Sequence, residues 1–250
     1  MDASLVGGVA VLERAIAYAL GNLAYVTPES LGRPTPCDQW NLYDLLEHFH
    51  DSLAALHEAA EDGRVGGIPY YLSDSAPGSS QSGSPPRGSM PPGSSPAGPC
   101  PDGRSWRPGP PPAGRSRRPG DPMLTGFHPA RSGRASAADV VPRVRDRAVR
   151  LLGSWASADG SAAVCVGEML VTAPLIAGAG AIEVTVHGWD VGQATGHPRP
   201  IPPELAEELL DLAVLFVRST DRPGRFARPI PVPATAPAGD RLLGFLGREP

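Results

Sequence analysis

Aromatic residues make up only 6% of this 250-residue chain, and basic residues are the minority charge, 22 Lys and Arg against 26 Asp and Glu for a formal −4. That balance offers no broad cationic surface, which argues against a nucleic-acid partner. Cysteine is scarce. Cys37, Cys100 and Cys165 are odd in number and far apart, so spacing specifies neither a disulfide framework nor a C-x-x-C zinc site. The longest nearly apolar run, residues 169–182, falls short of the ~20 residues a membrane-spanning helix needs. No basic n-region opens the chain, and Glu13 and Arg14 interrupt its first apolar stretch, so no signal peptide is expected. These absences predict a soluble, cytoplasmic protein with no membrane partner.

Proline (31) and glycine (30) are in excess, and much of the excess is local. Between Ser75 and Pro122, 33 of 48 positions are Pro, Gly or Ser, and Leu, Ile, Val and Phe are absent. Such a segment buries too little apolar surface to offset the entropy of ordering it. Residues 66–137 are therefore expected to form a disordered, low-complexity insert. Residues 1–65 and 138–250 are expected to make one domain of about 180 residues, enough for a hydrophobic core. Six Arg against two Asp give the 75–122 stretch a local +4, which leaves about −4 − 4 = −8 on the rest.

Outside the insert, apolar residues recur at intervals of three and four. Leu5, Val9, Leu12, Ile16, Ala19 and Leu23 mark a first helix. A second starts at Asn41, an N-cap with Asp44 in the first turn, and carries Leu42, Leu45, Leu46, Phe49, Leu53 and Leu56 to about Glu61. A third begins near Pro142. The fourth has Thr172 as N-cap and Pro174 in its first turn, and stops at Gly196. A short fifth helix follows Pro202, and "DRLLGFLG" supplies one or two more turns. With no sustained period-two alternation, the chain reads as all-α, an antiparallel four-helix bundle with additions after it.

The fourth helix contains "IEVTVHGWDVGQATG". Glu183 and His187, four residues apart, differ by only about 40° around the axis and can touch one ion. A catalytic zinc usually has three protein ligands and an open position, so a third must come from another helix. On the second helix His48 lies at the border of the apolar stripe, His50 points about 200° away from it, and His57 is about 13 Å further along the axis. His48 is thus the preferred partner. Asp44 and Asp190, each about one turn from a ligand histidine, are candidates to accept its other ring N–H. Spacing alone leaves a pair of half-buried histidines as the simpler account, with Trp40 and Trp189 as packing residues.

Two segments alter that balance together. Thr35, Pro36, Cys37 and Trp40, followed by Asp44, Leu45, Leu46 and His48, form T-P-C-x-x-W and D-L-L-x-H. Glu183, His187, Gly188, Trp189 and Asp190 form E-x-x-x-H-G-W-D. Both resemble the signature regions of the mycothiol-dependent maleylpyruvate isomerase family, a branch of the DinB-like metal-binding four-helix bundles. The resemblance covers residues 5–62 and 138–250. It implies a divalent metal, commonly zinc, on His48, Glu183 and His187, with mycothiol as thiol cosubstrate. The final residues resemble the ending of shorter family members. About 50 residues after Gly196 are too few for the separate domain of the fuller isomerases, which leaves the substrate open.

The expected activity is that of a metal-dependent thiol transferase or isomerase acting on a small electrophile. The alternatives are a metal-dependent hydrolase using bound hydroxide and a non-catalytic metal-binding bundle with a stress or sequestration role. The 66–137 composition is what GC-rich DNA yields when read out of frame, so a frameshifted or spurious segment in place of ordinary family sequence is expected. Translation of the other two frames of the gene should reveal family-like sequence; its absence from both removes that explanation.

Overall fold

Capping chemistry sets where the ligand-bearing helices start and stop. In the computed structural model, which describes residues 3–37, 40–65, 139–157, 163–166, 169–219, 222 and 226–250, Asn41 caps helix α2 (Leu42–Asp62). The Asp44 N–H donates to Asn41 Oδ1 at 2.9 Å and the Asn41 N–H to Asp44 Oδ2 at 3.4 Å, a reciprocal capping box. Helix α4 (Ala173–Thr195) follows Thr172, has Pro174 in its first turn and ends at the left-handed Gly196. The others are α1 (Ala3–Leu23), α3 (Val140–Ser157), α5 (Pro203–Phe216) and α6 (Ala238–Phe245). The 66–137 insert lies outside the described residues.

The chain is mostly helical, and its longest helices pack pairwise: α1 on α4, α2 on α3 and on α4, and α1 on α3. Leu45, Leu46, Phe49 and Leu53 of α2 are buried with Leu12, Ile16 and Leu23 of α1 and Val144 and Leu151 of α3. Each such side chain contributes about 1.5–3 kcal/mol on leaving water. Helix α4 shows no apolar stripe because it has hardly any wet side: from Ile176 to Thr195 nearly every residue is buried. It is the central element, covered by α1, α2 and α5.

The expectation of a fold without strands needs correction. Arg64–Val65 (β1), Ala163–Val166 (β2) and Met169–Thr172 (β3) form a small sheet in the order β1-β2-β3. β1 and β2 are parallel, with Arg64 opposite Cys165; β2 and β3 are antiparallel, with Ala163 opposite Thr172. Val164, Cys165 and Val166 of β2 are all buried, so the alternation that marks a half-wet strand is missing from the sequence. β1 begins two residues after α2 ends, and β3 runs directly into α4. Among the described residues no helix is long and apolar enough to cross a membrane.

The α1–α4 contact is close at Gly188, next to His187. A Cβ there would lie 2.9 Å from both Cα and Cβ of Ala19, backbone and side-chain root that cannot swing away. Gly188→Ala should therefore destabilise the protein by about 1–2 kcal/mol, although alanine is the better helix former by about 1 kcal/mol. Urea unfolding decides this, and a stabilised variant would refute the close packing.

Candidate metal centre

Helices α2 and α4 bring two i, i+4 pairs face to face. Glu183 and His187 stack on α4, while His48 and Ser52 stack one turn apart on α2. They meet at one atom, Glu183 Oε1. It lies 2.9 Å from His48 Nε2 and 3.2 Å from His187 Nε2, and it accepts the Ser52 hydroxyl at 3.1 Å. The imidazole rings face each other edge-on, with centroids 5.0 Å apart at 84°. Side-chain exposure is 22% for His48 and 20% for Glu183 but 9% for His187, so the cluster is open on one side only.

The donor set fits a divalent metal. All three ligand atoms lie within 4.8 Å of one another. In a tetrahedral site with bonds of about 2.0–2.2 Å, ligand atoms sit about 3.4 Å apart, close to the two distances measured at Glu183. The tautomer of His187 points the same way. Its Nδ1 lies 3.0 Å from Asp190 Oδ2, and an ionised carboxylate only accepts, so Nδ1 carries the proton. In the neutral ring, Nε2 would then present a lone pair to the Glu183 carboxylate. That pair of acceptors needs a cation between or upon them, a proton or a metal ion.

Asp190 is fully buried and well supplied with donors. Besides His187, its Oδ2 accepts from Cys37 Sγ at 3.2 Å and Arg248 Nη2 at 3.1 Å, and its Oδ1 from Arg248 Nε at 3.1 Å. Burial alone would raise the Asp190 pKa, but His187 and Arg248 hold it below the ordinary carboxylate value. The "TPCDQW" segment presents Cys37 through a turn. The Thr35 hydroxyl accepts the Cys37 N–H at 3.2 Å and donates to Trp40 O at 3.0 Å. Cys37, His187 and Asp190 form a second cluster of ligand-type side chains, but the Arg248 guanidinium already lies 3.1 Å from Cys37 Sγ. A cation in that place disfavours a second metal.

The structure brings His48, Glu183 and His187 together and sets Asp190 behind His187. Asp44 is placed differently from the bracing position considered for it: its carboxylate closes the capping box one turn before His48. His50 turns toward Asp51 and Arg143, and His57 toward Ser154 on α3, away from the cluster. Trp40 is more than packing, since its ring lies 4.7 Å from that of His48 and 6.4 Å from that of His187 and walls the site. Sequence reasoning missed Ser52 and Arg248. Ser52 was findable, being four residues after His48 on the same helix; Arg248 gave no signal.

No family model matches the chain, and no solved structure matches it. Two uncharacterized proteins of Mycobacterium tuberculosis, MT0763 of strain CDC 1551 / Oshkosh and Rv0738 of strain ATCC 25618 / H37Rv, are each 43% identical to it over 68 residues. Those residues are 26% of this chain, and the chain spans only 37% of each relative.

Burial alone would lower the His187 pKa, but Glu183, Asp190 and Cys37 raise it well above its ordinary 6.5. Burial alone would raise Glu183, but His187 and His48 hold it well below its ordinary 4.5. A raised imidazole adds stability below its unfolded pKa and loses it as pH rises through the folded value. A lowered carboxylate adds stability above its unfolded pKa and loses it as pH falls through the folded value. In metal-free protein the pair should therefore stabilise most between about pH 4.5 and 6.5. Urea unfolding against pH should show this maximum, and Glu183→Gln should flatten it.

Proposed function

We propose that the protein binds a divalent ion, zinc in the first instance, through His48, Glu183 and His187, and uses it to activate a thiol for reaction with a small electrophile. The observation that carries this reading is the Glu183 oxygen shared between two imidazole nitrogens, with the tautomer of one ring already set by Asp190. The packing of α1 to α4 supports an antiparallel, DinB-like four-helix bundle, and the two signature segments favour mycothiol as the thiol. The class of reaction is then S-transfer or thiol-dependent isomerisation.

The side chains divide the work. His48, Glu183 and His187 would hold the ion, and Asp190 keeps the His187 proton on Nδ1 so that Nε2 is free to ligate. Ser52 donates to Glu183 and steadies the carboxylate. Trp40 covers the two imidazoles, so water and reactants approach from the exposed side of His48 and Glu183. A bound divalent ion lowers the pKa of a coordinated thiol or water and supplies a nucleophile near neutral pH. In S-transfer, sulfur bonds to the electrophilic carbon as the leaving group departs with its electron pair. In isomerisation, sulfur adds to an activated double bond, the single bond rotates, and the same sulfur leaves.

Metal analysis of the purified protein should find bound ion, and His187→Ala should reduce it to background. Equal metal content in the two proteins would sink the site. Turnover of a small electrophile should require added mycothiol. Turnover without any thiol would instead support the hydrolase, and retained metal with no conjugate across an electrophile panel would support the non-catalytic bundle.

A further inference from the structure

The contact between Arg248 and Asp190 joins two parts of the chain 58 residues apart, and local sequence dictates how it is made. Helix α6 ends in a double-bonded stop: the Gly247 N–H donates to Gly244 O at 3.1 Å and the Arg248 N–H to Leu243 O at 2.8 Å. This is the Schellman arrangement, which needs a left-handed residue at its turn, and Gly247 has φ +80°. Space enforces glycine as well, since a Cβ at 247 would lie 2.6 Å from Ala227 Cβ and 3.0 Å from the Ala227 carbonyl. The end of α6 is itself anchored. Ile230 N–H donates to Gly244 O at 2.9 Å, and Arg222 Nη2 donates to Phe245 O at 2.5 Å while its guanidinium lies over the Phe245 ring. The turn thus delivers the residue after glycine to a fixed place.

At that place the guanidinium, 14% exposed, grips both oxygens of the fully buried Asp190 with Nε and Nη2, each at 3.1 Å. A two-point fork fixes the plane of a carboxylate, which a single contact does not. Arg248 Nη2 also donates to Cys37 Sγ at 3.1 Å, and the thiol donates to Asp190 Oδ2. His187 Nδ1 thus meets an acceptor held from behind by two groups.

We propose that Arg248 is a positioning residue of the metal centre, holding Asp190 so that His187 turns Nε2 toward Glu183 and His48. The inference rests on the metal reading above and extends it to a residue that touches none of the three ligands. Its signature lies in the metal. Zinc affinity, measured by chelator competition on the full chain, should fall about 10–100-fold in Arg248→Gln, the range typical when a residue behind a metal ligand is lost. Arg248→Lys keeps the charge without the fork and should fall between that variant and the wild type. Gly247→Ala keeps the guanidinium but displaces it, and should also weaken binding. In cobalt-substituted protein the visible ligand-field bands should shift in each variant.

Circular dichroism identifies any variant that does not fold, and the milder Arg248→Lys and Gly247→Ala then carry the test. A wild type that binds zinc, with folded variants that bind it within twofold and give superimposable cobalt spectra, would overturn the positioning role and leave the metal site standing. A lower melting temperature with unchanged affinity and cobalt bands would also overturn it, because Arg248 would then be an ordinary buried ion pair. A wild type that binds no zinc or cobalt would overturn the metal reading and this inference together.

Discussion

Glu183 Oε1 takes in two imidazole nitrogens and a hydroxyl within 3.2 Å, and for all three to reach it α2 and α4 must meet at one rotation and one height. Each residue of slippage along a helix is ~1.5 Å of translation and ~100° of rotation, so an error of one position removes a ligand altogether. Much of the surrounding structure serves that constraint. The capping box fixes where α2 starts, six residues before His48, and Gly188 lets α1 press on α4 beside His187. A conventional core then surrounds a polar cluster.

The same constraint explains why the centre can hold charge. Asp190 is buried without any exposure, a costly position for a carboxylate, and it is tolerated because Arg248 carries the compensating charge while His187 and Cys37 complete its hydrogen bonds. His48 and Glu183 stand partly in reach of solvent, where an ion and a substrate can arrive. The inner half of the cluster is buried and its charge is compensated, and the outer half is accessible.

What was legible in the sequence follows from the range of the interactions involved. Helix starts and stops depend on neighbours within four residues, so Asn41, Thr172 and Gly196 appear in the sequence where they appear in the structure. The Glu183 and His187 pair is equally local, and His48 was separable from His50 and His57 by rotation around α2 alone. Asp44 was ambiguous because one carboxylate can serve a cap or a histidine, and only the three-dimensional structure shows it serving the cap. The strands escaped notice because β2 is buried on both sides, which erases period two, and β1 is only two residues long. Arg248 was invisible for the plainest reason: its partner lies 58 residues away, and nothing in "LGREP" names Asp190.

The small sheet has a mechanical meaning that its size conceals. β1 leaves the C-terminal end of α2, β3 enters the N-terminal end of α4, and β2 is hydrogen-bonded to both. The two ligand-bearing helices are therefore tied to each other at adjoining ends, about 15–21 Å along their axes from the ligands. A tie at that point resists sliding of one helix along the other, and with it the loss of register that would part His48 from Glu183 and His187.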